Sequence, residues 1–282
     1  MMRRRFLAAC LPLLACLSLG AQESAADIKA EYERQVRYVG LDGLGVETII
    51  NRWEAAAPDD PEVYVARFNY WLSKSMDNTA VVEKPGKKYL GKEPLMTLKD
   101  SLGRDVNYFE DTSYDDEAFG EALKAIEKAI SLNPDEVTYR FGRITATMDY
   151  EKESPDMAAA EIMELIDDYQ ADGAGWTYEG EPFGEDVFRQ GIGEYCYKLF
   201  EIATPAGYEY FLAISEKMNK LYPDDTVFIN NIGSYWQVAG GNSRKALKYY
   251  RKALKIDPED YAANNNIRVI QSSQSRKDRP SK

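Results

Sequence analysis

Carboxylates are the most abundant reactive side chains in this sequence, which holds 47 aspartates and glutamates but no histidine. Without histidine, the chain cannot form the Ser-His-Asp or Cys-His arrangements of hydrolases, and it lacks the commonest general base. Two carboxylates alone suffice for glycoside hydrolysis, yet nothing in the sequence pairs one particular aspartate with one particular glutamate. We therefore predict no catalytic residue and no enzymatic activity.

The sequence patterns of phosphate-binding and metal-binding sites are also missing. No Gly-x-x-x-x-Gly-Lys-Ser/Thr loop is present. The acidic run from Asp111 to Glu117 lacks the alternate spacing and the central glycine of a calcium loop. Cys196 stands between Tyr195 and Tyr197 on a predicted helix, and no histidine can activate it, so we interpret it as a small buried side chain. The sequence thus predicts no cofactor and no metal ion.

Three aromatic residues stand close together in the segment 171–184. Its four glycines and one proline argue against a regular helix. In such a loop, Trp176, Tyr178 and Phe183 can act as anchors for a partner or as stacking surfaces for sugars. Alternatively, they pack back into the protein and fill the space between helices.

The first 21 residues are predicted to be a secretory signal peptide. Three arginines at positions 3–5 precede an apolar stretch of 14 residues, 6–19. This stretch is shorter than the ~20 residues that span a bilayer but fits a signal sequence. We therefore expect an exported protein, periplasmic or secreted, with an outer-membrane lipoprotein as the alternative.

Two processing routes compete at this signal. The small residues Gly20 and Ala21 fit ordinary cleavage before Gln22, which we favour. Alternatively, residues 13–16, Leu-Leu-Ala-Cys, resemble a bacterial lipobox, which would lipidate Cys16. A lipid on Cys16 is the one membrane attachment that we expect.

The elements that carry these residues follow from a pattern that occurs twice. An alanine, a bulky residue, a second alanine and a proline are separated by four, three and five positions. The first three share one face of a helix, where alanine lets a neighbouring helix approach, and the proline ends the helix. The two copies are Ala122, Ile126, Ala129 and Pro134, and then Ala246, Tyr250, Ala253 and Pro258.

The segment from Thr226 to Asp260 contains the second copy, preceded by Gly233 and Trp236 at a predicted helix crossing. It resembles a tetratricopeptide repeat, a unit of ~34 residues that forms two antiparallel helices. The resemblance implies an all-α fold over 22–272, an α-solenoid of about five helix pairs and a capping helix. The predicted pairs are 28–57, 60–78 with 115–132, 135–151 with 155–170, 184–202 with 206–222, and 225–239 with 243–257, and the predicted cap is 259–272.

Two parts of the chain depart from this pattern. Residues 78–117 are rich in glycine and proline, and Leu95–Leu98 and Val106–Phe109 read as short strands around a turn. We predict an inserted extended arm or β-hairpin there, which either recognises a partner or packs on the edge of the helices. Residues 273–282 are polar and are predicted to be a disordered tail.

Charge narrows the classes of partner. The chain has 35 basic and 47 acidic residues, a net charge of −12. A net negative charge disfavours nucleic acid and anionic membrane surfaces. We therefore expect no nucleic-acid partner and attribute most of the acidic residues to solubility.

The resemblance implies a non-enzymatic adaptor or scaffold that binds a protein or peptide in the concave groove of the repeats. We place this function in the bacterial envelope. The register of the repeat predicts that four polar residues face this groove: Asn230, Ser234, Gln237 and Asn265. Asparagine side chains in such a groove can form hydrogen bonds with the backbone of an extended peptide. The alternatives are a lipid-anchored subunit of an outer-membrane assembly or nutrient-uptake complex, and a carbohydrate-binding protein that uses the 171–184 loop.

Overall fold

The computed structural model describes residues 23–277 and divides into two compact units, one up to Pro58 and one from Asp59. The predicted signal peptide, including Cys16, and residues 278–282 of the predicted tail lie outside the described residues. No helix within 23–277 combines the length and the apolar composition that crossing a membrane would need.

The first unit is an antiparallel helix pair. Helix α1 (Ala25–Val39) begins at Ser24, whose hydroxyl accepts a hydrogen bond from the Asp27 amide at 3.2 Å, and helix α2 is Val46–Ala56. The two helices pack through buried apolar residues that include Trp53, and the Tyr32 ring lies 5.8 Å from the Trp53 ring. This pair is the first that the sequence predicted.

The second unit contains nine helices within residues 59–277. Successive helices pack as adjacent antiparallel pairs, which confirms the predicted all-α, solenoid-type fold class. The helices are α3 (Pro61–Ser75), α4 (Asp116–Leu132), α5 (Val137–Glu151), α6 (Asp156–Asp172), α7 (Glu185–Ile202), α8 (Pro205–Leu221), α9 (Thr226–Val238), α10 (Ser243–Ile256) and α11 (Tyr261–Lys277). We call α3, α5, α7 and α9 the first helices and α4, α6, α8 and α10 the second helices of their pairs.

Contacts between pairs join a second helix to the next first helix, as in α4 with α5 and α8 with α9, and also join helices of the same kind. First helix α7 contacts first helix α9, and second helix α6 contacts second helix α8. Small residues allow the close approach within a pair: a Cβ on Gly233 of α9 would lie 2.6 Å from Cε1 of Tyr250 on α10. Helix α11 packs against α10 and α9, as predicted for the cap, and it continues five residues into the predicted tail.

An arm of three strands, residues 76–114, is inserted between α3 and α4. Its strands are β1 (Met76–Lys84), β2 (Met96–Lys99) and β3 (Asp105–Tyr114), antiparallel in the order β1-β3-β2. The predicted hairpin is confirmed as β2–β3, which pair from Met96 opposite Tyr108 to Lys99 opposite Asp105. Strand β1 was not predicted, because it pairs with β3 across more than 20 residues of intervening chain and carries no local turn signal.

The segment 171–184 folds as a short 3-10 helix (Gly173–Gly175) and a small hairpin of strands β4 (Thr177–Tyr178) and β5 (Glu181–Pro182). It stands between α6 and α7. Trp176 and Phe183 from this segment belong to the main core, together with apolar residues of α5 to α9. A second, smaller core joins α9, α10 and α11 around Tyr250.

Candidate functional site

Helix α7 has two opposite faces. Its exposed residues Gln190, Glu194 and Tyr197 recur at helical spacing and share one face. The opposite face is buried and consists of Phe188, Ile192, Tyr195, Cys196 and Leu199. Two cavities open along the exposed face, one towards α9 and one towards α5 and the arm. Tyr197 lines both cavities and exposes 63% of its surface, so the two cavities meet at this side chain. We call the two cavities together the groove.

The cavity towards α9 has a volume of about 380 Å³. Arg189 fixes its walls, because the guanidinium donates to the Asp225 carboxylate of the α9 N-cap at 2.8 Å and also to Asp186. Gly193 brings the helices together, since a Cβ there would already lie 3.6 Å from Val227 of α9. The groove is therefore lined by neighbouring first helices that are held by an ion pair at one side.

The cavity towards α5 has a volume of about 420 Å³ and is closed on one side by the arm. A two-residue turn of the arm, Leu90 and Gly91, has φ of 50° and 78° and is closed by two backbone hydrogen bonds of 3.0 and 2.9 Å. Glycine is required here, because a Cβ on Gly91 would lie 2.9 Å from Cβ of Glu201 on α7. Lys88, beside the turn, lies 3.5 Å from the Glu201 carboxylate.

Further charged contacts attach the arm to α5 and the residues after it. The Lys152 ammonium donates to the Asp111 carboxylate of β3 at 2.5 Å. The Lys84 ammonium of β1 donates to Glu153 at 3.3 Å and lies 4.3 Å from the centre of the Tyr89 ring. These contacts make the arm a fixed wall of the groove rather than an unattached loop.

Carboxylates outnumber cations in the groove. Seven aspartates and glutamates and four lysines and arginines line the two cavities, which gives a net charge of −3. Asp149 at the end of α5 is exposed, yet desolvation by the surrounding protein raises its pKa, and Lys198 and Lys92 offset this shift only in part. The groove therefore favours a ligand that carries positive charge.

Ser234 and Gln237, two of the predicted groove residues, lie beside the buried Tyr250 ring of α10. The Tyr250 hydroxyl donates to Oε1 of Gln237 at 2.8 Å, and the Ser234 hydroxyl lies 3.3 Å from the Tyr250 hydroxyl oxygen. Both side chains thus join α9 to α10 within one pair. Neither of them lines the two cavities.

The other two predicted groove residues also lie away from the cavities. Asn230 is buried, and its amide donates to the Asp260 carboxylate that precedes α11 at 2.9 Å. Asn265 on α11 is exposed. None of the four residues lines the two cavities, and their part in partner binding stays a prediction.

The three aromatic residues of the 171–184 segment differ in exposure. Trp176 and Phe183 expose 4% and 5% of their surface, and only Tyr178 is exposed, at 39%. The Trp176 ring packs at 5.7 Å against Tyr169 of α6. Two of the three rings therefore contribute to the core between α6 and α7, as the packing alternative expected, and are not presented to a ligand.

The hairpin of this segment is fixed by Glu136, the N-cap of α5. Its carboxylate accepts hydrogen bonds from the Gly180 amide at 3.0 Å, the Glu179 amide at 2.9 Å and the Thr177 hydroxyl at 2.8 Å, as well as from Thr138. Burial alone would raise the pKa of Glu136, but these donors stabilise the ionised form and lower the pKa. This network ties the loop to α5.

A metal-binding cluster and a reactive thiol are both lacking among the described residues. Among residues 23–277, no three side chains of histidine, cysteine, aspartate and glutamate cluster in a way that could hold a metal ion. Burial raises the pKa of the Cys196 thiol to about 12, so it is not a nucleophile at neutral pH.

Comparison with known proteins supports a repeat architecture. The family model of the tetratricopeptide repeat matches residues 238–260, which cover α10 and the residues on either side of it. No curated protein matches the chain. Together with the paired helices, the match identifies a protein that is similar to tetratricopeptide-repeat proteins, whose repeats are typically non-catalytic modules of protein–protein interaction.

Sequence reasoning missed the residues that line the groove. Gln190, Glu194, Tyr197 and Glu201 follow the spacing of one helix face, opposite a continuous apolar face, so this polar stripe was readable in the sequence. The arm's contribution was not readable, because the contact of Gly91 with α7 joins residues more than 100 positions apart.

Proposed function

We propose that the groove binds an extended segment of a protein partner. The observation that supports this most directly is the meeting of two cavities at the exposed Tyr197 side chain. From Asp186 to Glu201 the exposed face of α7 is about 22 Å long, which accommodates roughly seven residues of an extended peptide. Aromatic side chains of this kind act as anchors at protein interfaces because they bury a large area at a small entropic cost.

The charge of the groove indicates the composition of the segment. Since the lining has a net charge of −3, we expect lysine or arginine in the bound segment, opposite Glu110, Asp149 and Glu194. None of these three carboxylates forms an ion pair with another described residue. Bound lysine or arginine side chains would therefore meet carboxylates that are not already in an ion pair, although Glu194 accepts a hydrogen bond from Gln190 at 3.3 Å.

A peptide library panned against the purified protein tests this function. Peptides selected from the library are labelled, and their dissociation constants are measured by fluorescence anisotropy. We expect Tyr197→Ala to raise the dissociation constant at least about 10-fold, whereas Tyr261→Ala, an equally large truncation of an exposed tyrosine outside the groove, leaves it unchanged. Equal affinities for wild type and Tyr197→Ala would reject the groove as the binding site.

A carbohydrate ligand is less well supported. Stacking on a sugar requires exposed aromatic faces, and burial of Trp176 and Phe183 leaves Tyr178 as the one exposed ring of the 171–184 loop. A protein partner in the groove therefore remains the function that we propose.

We also propose that the protein works as an adaptor or scaffold in the bacterial envelope. The basic and apolar composition of residues 1–21 supports export. The intact mass of the protein from cell fractions distinguishes the two routes. A soluble form that begins at Gln22 would indicate a free periplasmic or secreted adaptor, and an acylated form that begins at Cys16 would indicate a lipid-anchored subunit of an envelope complex.

A further inference from the structure

Charge is distributed very unevenly along this acidic chain. Residues 1–242 contain 24 basic and 43 acidic residues, a net charge of −19, whereas residues 243–282 contain 11 basic and 4 acidic residues, a net charge of +7. The overall charge of −12 therefore conceals a basic C-terminal region. Such an asymmetry within one chain is typical of proteins that contact a polyanionic surface.

Helix α10 concentrates this positive charge on one face. It has six basic residues and no acidic residue. Four of the basic residues are exposed and recur at spacings of four, three and four, so they share one face; we call these Arg244, Lys248, Arg251 and Lys255 the basic stripe. The buried residues Ala246, Tyr250 and Ala253 occupy the opposite face of the helix. The stripe points outward and is about 17 Å long.

No described side chain forms an ion pair with a member of the basic stripe. Within residues 23–277, none of its four members forms an ion pair or a side-chain hydrogen bond. The other two basic residues of α10 differ, since Lys245 lies 3.3 Å from the centre of the Trp236 ring and Lys252 donates to Asn219 at 3.1 Å. Like charges that lie one helical turn apart repel each other. Stabilisation of the fold therefore does not explain the presence of the stripe.

The surroundings of the stripe favour a ligand that combines anionic and apolar groups. Neither cavity of the groove includes a residue of α10. Just after the stripe, Ile256 and Tyr261 expose 39% and 79% of their surface, and the exposed acidic residues Asp257 and Glu259 lie between them in the chain. An anionic bilayer surface attracts lysine and arginine and also accommodates apolar and aromatic side chains at its interface. Phosphates of nucleic acid attract the cations but offer no comparable environment for Ile256.

We propose that the basic stripe of α10 binds the surface of a membrane that contains anionic phospholipid. The acidic remainder of the molecule is repelled by the same surface, so the contact is directional and presents α10 to the bilayer. Since none of the residues that line the groove belongs to α10, bilayer contact leaves the groove available. This contact is independent of a lipid on Cys16.

Vesicle flotation tests the proposal. The proteins carry Cys16→Ser, so that no acyl chain contributes, and are mixed with vesicles that contain either phosphatidylglycerol in phosphatidylethanolamine or phosphatidylcholine alone. The stripe variant replaces all four members of the stripe by glutamine: Arg244→Gln, Lys248→Gln, Arg251→Gln and Lys255→Gln. The control variant changes the net charge equally at exposed positions of the arm and α4: Lys87→Gln, Lys99→Gln, Arg104→Gln and Lys124→Gln.

We expect wild type and control to float with phosphatidylglycerol vesicles and not with phosphatidylcholine. Each membrane-facing charge contributes about fivefold in affinity, or about 1 kcal/mol, so the stripe variant should bind at least about 100-fold more weakly. Binding should also weaken as salt rises, because the Debye length falls from about 10 Å at 0.1 M to about 3 Å at 1 M.

Three results would overturn the proposal. Wild type that does not float with phosphatidylglycerol vesicles would reject membrane binding, and an equal loss in the control variant would assign the effect to net charge. Tighter binding of wild type to double-stranded DNA or to polyglutamate than to the vesicles would assign the stripe to another class of polyanion. Circular dichroism melting curves of both variants show that the compared proteins are folded.

Discussion

Replacing Gly233 by alanine tests the helix packing on which the whole account depends. A Cβ at this position would lie 2.6, 2.9 and 3.0 Å from three atoms of the Tyr250 ring. The ring is fully buried, and its hydroxyl is held by Gln237 at 2.8 Å, so it cannot withdraw without loss of that bond. Overpacking costs about 1–3 kcal/mol, while alanine gains about 0.8–1 kcal/mol in helix propensity over glycine. We expect a net destabilisation of roughly 0–2 kcal/mol from these two terms.

Gly120 of α4 is the matched control, because a Cβ there has no heavy atom within 4 Å. Gly120→Ala should therefore stabilise the protein by about 1 kcal/mol. Urea unfolding followed by circular dichroism measures both changes. Removal of the ring by Tyr250→Leu should abolish the cost of Gly233→Ala in a double-mutant cycle. If Gly233→Ala stabilises the protein as much as Gly120→Ala does, the packing of α9 on α10 described above is wrong.

Three further predictions concern other parts of the second unit. Folding lowers the pKa of Glu136, so the contribution of its carboxylate to stability is present above the unfolded pKa and is lost as pH falls. The difference in melting temperature between wild type and Glu136→Gln should therefore be largest at neutral pH and should shrink below about pH 4.5. Cys196, whose thiol pKa is raised to about 12, should resist alkylation at pH 8 in the folded protein and react fully in denaturant; rapid alkylation of the folded protein would contradict its burial. Gly91→Ala should lower the melting temperature more than Gly103→Ala does. Both glycines have positive φ, but only a Cβ at Gly91 would clash, at 2.9 Å from Glu201. Equal melting temperatures of the two variants would count against the contact between the arm and α7.

The fold was predictable wherever its signals are local. The alanine and proline pattern around Ala246 and Pro258 and the crossing glycine Gly233 gave the helices of the last pair to within two residues. The hairpin β2–β3 followed from turn residues near Gly103. Strand β1 was not predictable in this way, because its hydrogen bonds depend on β3, which is distant in sequence.

The groove was harder to predict than the fold for a physical reason. The register of the repeat assigned Ser234 and Gln237 to the concave face of the repeats but did not reveal that the hydroxyl of Tyr250, on the partner helix, hydrogen-bonds with both. In the same way, the glycine-rich loop suggested exposed rings, while Glu136 holds the loop against α5 and Trp176 enters the core. Both outcomes depend on long-range contacts that residue types alone do not specify.

The central claim, that the groove is where a protein partner binds, is tested most directly by site-specific photocrosslinking in the native host. A photoreactive amino acid is placed singly at Gln190, Glu194 or Tyr197 in the groove. The matched positions are exposed residues of second helix α8, which lines neither cavity; they are Glu209, Glu216 and Lys220. We predict the same crosslinked protein from all three groove positions and from none of the three positions on α8. Adducts that form on α8 but not in the groove would contradict the claim.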